Sequence, residues 1–157
     1  MYEVKHRGSG SVTWSYVTHC ECDQCSASFD VHRPLNTCPH CGGLLEFRYD
    51  LERMKKELDP RRFANRVPTM WRWHEFYPLQ REEHAVSLGE GGTPLIRSAY
   101  AGPKLGLSHL YFKNDTLMPT GSFKDRGFSL AVSVANELGV KRGMTYSSGN
   151  AGSSFAA

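Results

Sequence analysis

The clearest pattern of apolar and polar positions lies late in the chain. Between residues 123 and 138, Phe123, Phe128, Ala131, Val134 or Ala135, and Leu138 recur at helical spacing along one stripe. Gly139 follows and predicts the C-terminal cap. Residues 109–113 before this helix and 143–146 after it read as strands, and a small-residue loop then leads into a helix starting within residues 152–157. Upstream, residues 93–96 predict a short strand behind a Gly-rich turn, and residues 99–106 an imperfect helix broken at Gly102-Pro103. Strand, helix, strand in this order is the parallel α/β unit, in which ligands gather at the C-terminal ends of the strands.

The first fifty residues have a different rhythm. Residues 12–17 alternate loosely, with Thr13, Trp14 and Tyr16 favouring extended backbone, and residues 44–49 read as another strand. Residues 51–58 have helical character with paired charges at Glu52, Lys55 and Lys56, and Asp59-Pro60 ends the run. Trp71, Trp73, Phe76 and Tyr77 crowd the stretch after that, which predicts a connecting segment packed on a neighbouring unit more than a recognition surface. His74 and His84 have no evident partners. The pattern therefore divides the chain into a small β unit (1–50), a connecting segment (51–86) and the beginning of a parallel α/β domain (87–157).

Composition narrows the class. Hydrophobic residues make up 39% of the 157, which argues against disorder, and no apolar run is long enough to span a bilayer. The net charge of +3 is slight, and its distribution says more. Residues 1–50 hold four Lys/Arg against six Asp/Glu, and residues 87–157 seven against four. Neither is the dense basic face that phosphate-backbone binding needs, so nucleic acid is not expected as a partner. The N-terminus, Met1-Tyr2-Glu3-Val4-Lys5, has no apolar signal core, so a cytoplasmic location is expected, where five cysteines point to metal or free thiols before disulfides.

Four of those cysteines form two pairs, Cys22-Asp23-Gln24-Cys25 and Cys38-Pro39-His40-Cys41, separated by twelve residues. This spacing is the structural-zinc pattern of ribbon type: each pair chelates from one tight turn, and together they close a tetrahedral thiolate site. Gly42 permits the knuckle's close backbone approach, whereas Ser26 occupies the matching place after the first pair. A ribbon that folds metal-free with reduced thiols is the plainer alternative. Cys20 is left over, and His19 and His40 read as turn residues rather than ligands.

The strongest chemical signal is Pro119-Thr120-Gly121-Ser122-Phe123-Lys124-Asp125-Arg126-Gly127. Pro119 and Gly121 bend a loop, and Ser122 can cap the following helix with Asp125 completing a capping box. Lys124 then falls in the first turn, where unpaired amides and the helix dipole disfavour an ammonium charge; that suits an amine nucleophile. Lysines are common in first helical turns, so the loop alone does not settle the matter.

The run resembles the pyridoxal-phosphate lysine motif of threonine synthase and its relatives in the tryptophan-synthase-beta-like superfamily. Leu88-Gly89-Glu90-Gly91-Gly92-Thr93-Pro94-Leu95 upstream and Ser147-Ser148-Gly149-Asn150-Ala151-Gly152 downstream match in the same order. A ribbon ending like Cys38-Pro39-His40-Cys41-Gly42-Gly43-Leu44-Leu45-Glu46 also opens one branch of that family. The resemblance implies a fold-type II domain with pyridoxal phosphate on Lys124, the same amine returning as general base for the substrate's α proton. It further implies that Asn150 bonds the cofactor's ring hydroxyl oxygen and that Ser148, Gly149, Asn150 and Ala151 receive the α-carboxylate of an amino-acid substrate at a helix N-terminus. Phe123 would pack at the ring face or equally serve as core, while Asp125 and Arg126 would hold the loop.

Three departures qualify this. Met118 stands where an Asn often precedes the motif's Pro; the usual acidic pair reads Asn114-Asp115; and Ala151 replaces a Thr, removing a hydroxyl from the carboxylate site. Family domains run to roughly 300 residues, about twice an ordinary domain. The expectation is therefore the front portion of such an enzyme, unstable and inert by itself, lacking the Gly-rich phosphate loop. The implied reaction is O-phosphohomoserine and water to threonine and phosphate, with a homodimer entertained for the full-length form. Rivals are a threonine or serine dehydratase, a cysteate or cysteine synthase, and a zinc-ribbon binding module with a degenerate catalytic remnant.

Overall fold

The computed structural model describes residues 13–157. Strand β1 (Val17–Cys22) is central in a three-stranded antiparallel sheet, flanked by β2 (Ser28–Phe29) and β3 (Leu45–Tyr49). The strand expected over residues 12–17 begins outside the described residues, and residues 13–16 are not strand; the ladder starts at Val17 and runs into the first metal-type cysteine. Its register explains the shift. Cys22 pairs with Leu45 and Cys20 with Phe47, so the strand is anchored by the ribbon, while a bulge leaves Thr18 between Val17 and His19. His19 is a β1 residue, not a turn residue.

Helix α1 (Leu51–Glu57) follows directly, because the Asp50 carboxylate accepts from the Arg53 N–H at 2.9 Å and caps it. The aromatic stretch forms a kinked 3-10 helix over Met70–Phe76 that fastens the connecting segment to the ribbon. Tyr16 N–H donates to the Glu75 carbonyl at 3.1 Å, Ser15 Oγ to the Tyr77 carbonyl at 2.6 Å, and Tyr49 OH to the Phe76 carbonyl at 2.7 Å. His74 does have a partner: its ring stacks on Trp14 at 3.8 Å and its Nδ1 donates to the Trp14 carbonyl at 2.7 Å. Arg66 grips the buried Glu75 carboxylate with both Nη atoms, at 2.7 and 2.5 Å.

In the last part, β4 (Leu95–Arg97) and β5 (Tyr111–Lys113) pair antiparallel. Helix α2 (Ala101–Lys104) contains Gly102 and Pro103 instead of breaking at them, since a proline in the first turn lacks only an amide that would be unpaired anyway. Helix α3 (Lys124–Glu137) and helix α4 (Asn150–Ala156) lie against each other, with Phe128 and Phe155 edge to face at 5.7 Å. Gly139 ends α3 in the left-handed region at φ 74°. The chain is thus an α/β protein with a small β unit ahead of a mixed domain start. Among the described residues, however, both sheets are antiparallel. Residues 143–146 are not strand: Met144 and Tyr146 stand fully exposed, and a strand needs a neighbour for its amides.

The buried face of α3 also differs from the expected apolar stripe. Asp125, Ser133 and the side chain of Glu137 are buried, while Phe123 is 58% exposed and so is no core residue. The cause is residues 80–90, which run irregularly across the helix and bring unpaired backbone groups with them. Glu137 accepts from Gln80 N–H at 3.0 Å, and Ser133 Oγ accepts from Val86 N–H at 2.8 Å. Asn136 donates to the His84 carbonyl at 3.3 Å. Satisfying a buried backbone outweighs the apolar pattern here.

Candidate active site and candidate metal centre

The two cysteine turns are built alike. In each, the amide after the second cysteine returns to the carbonyl of the first: Ser26 N–H to Cys22 at 3.0 Å, Gly42 N–H to Cys38 at 2.9 Å. Both following residues adopt left-handed backbone, Gly42 at φ 78° and Ser26 at φ 56°. The close approach expected at Gly42 belongs to Gly43, where a Cβ would lie 2.9 Å from Cys22 Sγ and 2.8 Å from Asp23 Oδ1; Gly42 has open space and serves the turn.

The sulfurs of Cys22, Cys25, Cys38 and Cys41 all lie within 4.8 Å of one another. Cys22 to Cys41 is 3.4 Å and Cys25 to Cys38 is 3.6 Å, too long for a disulfide and close to the roughly 3.8 Å edge of a tetrahedral zinc–thiolate site. Four crowded sulfurs cannot share charge evenly without a cation. Burial raises Cys38, yet the His40 and Cys41 amides hold it at about 7. The Gly43 amide lowers Cys41, yet the Cys22 and Cys25 sulfurs push it up to about 12. The donor set therefore fits a thiophilic divalent ion. Cys20 stays outside the cluster and packs beside Cys22 and Phe29, where burial raises its thiol pKa; His40 packs its ring on Phe29 at 5.4 Å.

The second site grows from three stretches held together by polar contacts. Glu90 is fully buried and accepts from Leu88 N–H at 2.7 Å, Ser87 Oγ at 3.0 Å and, on α3, Ser129 Oγ at 2.6 Å. Gly91 and Gly92 pass so close to Pro68, Thr69 and Met70 that a Cβ at either would overlap backbone, and Met70 N–H donates to the Glu90 carbonyl at 2.7 Å. Met118 is buried, its sulfur accepting from Gly91 N–H at 3.4 Å, so the residue that departs from the family pattern ties the upstream stretch to the lysine loop. Asp115 joins them again: it takes Arg126 at 2.6 and 3.0 Å and Thr93 Oγ1 at 2.6 Å. Those donors, Arg126 first and Thr93 second, hold its carboxyl down to about 2.

The loop then delivers Lys124 as the first residue of α3. Ser122 Oγ accepts from Lys124 N–H at 3.2 Å as a local turn, but the cap position is Phe123, which makes no side-chain cap bond, and Asp125 does not complete a capping box. Its carboxylate instead accepts from Thr120 N–H at 2.9 Å and from Ser154 Oγ on α4 at 2.6 Å. Lys124 is exposed, and its Nζ sits 4.7 Å from the centre of the Phe123 ring. It lines an open cleft of about 600 Å³ together with Tyr146, Ser147, Ser148, Gly149, Asn150 and Ala151. Two motifs from separate parts of the chain thus face one opening, while Phe123 is not among its lining residues. Glu90, Asp115, Ser129, Ser154 and Tyr146 had no assigned part in the sequence reading; serines at 129 and 133, four apart inside an apolar helix, were the available sign of a polar face.

A cleft bearing an amine, a carboxamide and a run of small residues fits an aldehyde cofactor with a polar ring edge. Comparison with known proteins points the same way. Residues 86–157 match the family described as "Pyridoxal-phosphate dependent enzyme". The threonine synthase of Methanocaldococcus jannaschii is 44% identical over 136 residues, covering 87% of this chain and 33% of that protein. That of Methanosarcina acetivorans is 36% identical over 138 residues, 88% of this chain and 33% of the relative. The Synechocystis sp. threonine synthase is 38% identical over 86 residues. An alignment of 136 residues cannot fit within 86–157, so that likeness extends through the connecting segment into the ribbon. The chain spans about a third of the length of the first two relatives. No described helix is long and apolar enough to cross a membrane. By its three motifs, its cleft and this similarity, residues 86–157 match the pyridoxal-phosphate dependent enzyme family, and the chain from the ribbon onward is similar to the threonine synthases.

Proposed function

We propose that this chain carries the cofactor lysine and the carboxylate-binding turn of a threonine synthase, acting on O-phosphohomoserine and water to give threonine and phosphate. The observation supporting this is the single cleft lined by Lys124 and residues 146–151. When bound, pyridoxal phosphate supplies an aldehyde for the lysine amine and a ring that withdraws electrons from the substrate's α carbon. Lys124 Nζ holds the cofactor and afterwards takes and returns the α proton. Asn150 would donate its carboxamide to the ring hydroxyl oxygen, and Ser148, Gly149, Asn150 and Ala151 would receive the α-carboxylate; Phe123, outside the cleft lining, would reach the ring face only by turning its side chain. Cys22, Cys25, Cys38 and Cys41 hold a structural zinc that shapes the ribbon. The reading includes cytoplasmic residence, no nucleic-acid or membrane partner, and a homodimer for a longer form.

Ala151 keeps a second reading in view, a dehydratase or β-replacement enzyme, because it offers no hydroxyl to the carboxylate. Incubating a full-length form that carries this chain with pyridoxal phosphate, reducing with borohydride and mapping the adduct tests the cofactor assignment. Label concentrated on Lys124 and lost in Lys124→Ala is expected; label spread evenly over surface lysines would overturn it. Protection of Lys124 by O-phosphohomoserine but not by serine favours the first reading, and the reverse favours the second.

A further inference from the structure

We infer that Asp125 is a positioning residue, a strut through which the loop bearing Lys124 and the helix bearing Asn150 are set at a fixed mutual distance. Asp125 is 2% exposed and lies one residue after Lys124. Its Oδ1 accepts from Thr120 Oγ1 at 2.5 Å and from Ser154 Oγ at 2.6 Å, and its Oδ2 from Thr120 N–H at 2.9 Å. Thr120 Oγ1 and Ser154 Oγ lie 3.2 Å apart, but each hydroxyl proton is already directed to the carboxylate. Three donors converge on one buried group, so it must be the ionised acid. Burial opposes that state, and the Ser154 and Thr120 donors outweigh it to keep the pKa low.

Adhesion alone does not call for this arrangement. Phe128 and Phe155 already pack α3 on α4, and an apolar pair would hold two helices as well as a buried ion. The placement in sequence is what gives the group a use. Fixing Asp125 fixes the rotation of the first turn of α3 and turns Lys124 outward to the cleft. Ser154 sits four residues after Asn150, one turn along, so gripping it fixes the rotation of α4. A seven-residue helix has too few internal bonds to orient itself, and its direction depends on such contacts.

The use assigned to the strut rests on the proposed function, whereas its geometry does not, so the test has two arms. In the first, the side-chain amide resonance of Asn150 and the backbone resonance of Lys124 are followed by nuclear magnetic resonance without cofactor. In the second, the rate of the borohydride-trapped pyridoxal phosphate adduct at Lys124 is measured. Asp125→Asn and Ser154→Ala should move both resonances and slow the adduct by about ten- to a hundredfold. Ser154→Thr, which keeps the hydroxyl, should restore both. The far-ultraviolet circular dichroism melt, to which the fourteen-residue α3 contributes the largest share of the helical signal, should be unchanged and so exclude general unfolding. Unmoved resonances with an unchanged rate overturn the strut, as does a loss that tracks the melt and that Ser154→Thr fails to restore. A wild-type chain forming no Lys124 adduct would sink the proposed function and leave the resonance arm to decide the strut.

Discussion

The ribbon with its connecting segment and the part that carries Lys124 solve the same problem in opposite ways. In the first, the side chains inside are mostly apolar or sulfur-bearing, such as Cys22, Phe29, Cys38, Met54, Phe63, Met70 and Leu79, with Ser15, His74 and Glu75 as the buried polar exceptions. In the second, the buried groups are largely polar, namely Glu90, Thr93, Ser122, Asp125, Ser133 and Ser154, while Leu95, Ile96, Phe112 and Met144 face outward. The difference teaches what each half depends on. The front closes a small core of its own, locked by a sulfur cluster and stacked rings. The Lys124 part is set by hydrogen bonds that hold loops in register, and two three-residue strands present no face broad enough to bury an apolar layer.

The contrast can be broken most forcefully at the cysteines. If the cluster holds the proposed zinc, replacing the buried Cys38 with Ser, or stripping metal with a strong chelator, should abolish metal binding and unfold the ribbon, since structural zinc is worth about 10 kcal/mol or more in small domains. Metal analysis and tryptophan emission would report it. A ribbon whose emission and melting are indifferent to chelation would favour the metal-free alternative.

A smaller effect is expected at Asp115, which governs the polar half alone. Its folded pKa lies below the unfolded one, so its stabilisation is fully present above the usual carboxylate pKa of about 3.9 and is lost as pH falls toward 2. Asp115→Asn should cost about 1–2 kcal/mol at neutral pH, allowing for partial solvent screening, and should flatten the loss of stability between pH about 4 and about 2. Circular dichroism melts at the two pH values would show it. An unchanged acid profile would mean that Arg126 and Thr93 hold the loop without the charge.

Ser26→Gly sharpens the comparison gently. The second knuckle uses Gly42 for the left-handed position that Ser26 occupies in the first, and releasing that strain should stabilise the ribbon by about 0.5–1 kcal/mol after the entropy of glycine is counted. A denaturant midpoint that falls instead would show that the Ser26 side chain makes a contribution of its own.

Much of this was legible in the chain. Helix α1, β3, the body of α3 with its glycine end, and the four-cysteine cluster all follow from patterns a few residues long. Three expectations gave way to tertiary demands. The β1 ladder starts at Val17 because its partners in β3 do, residues 143–146 lack a neighbouring strand, and α3 turns a polar face inward because the irregular backbone of residues 80–90 needs donors and acceptors. Around Lys124, the motif could be read but its bonding could not.

By itself, then, the sequence determined the candidate residues for the chemistry and their order, because a knuckle or a bent loop is decided by neighbours along the chain. Only the tertiary structure decided which charges go inside and which motifs touch. Asp125 meets Ser154 across 29 residues and Glu90 meets Ser129 across 39, and closing such separations depends on the packing of whole elements rather than on local preference.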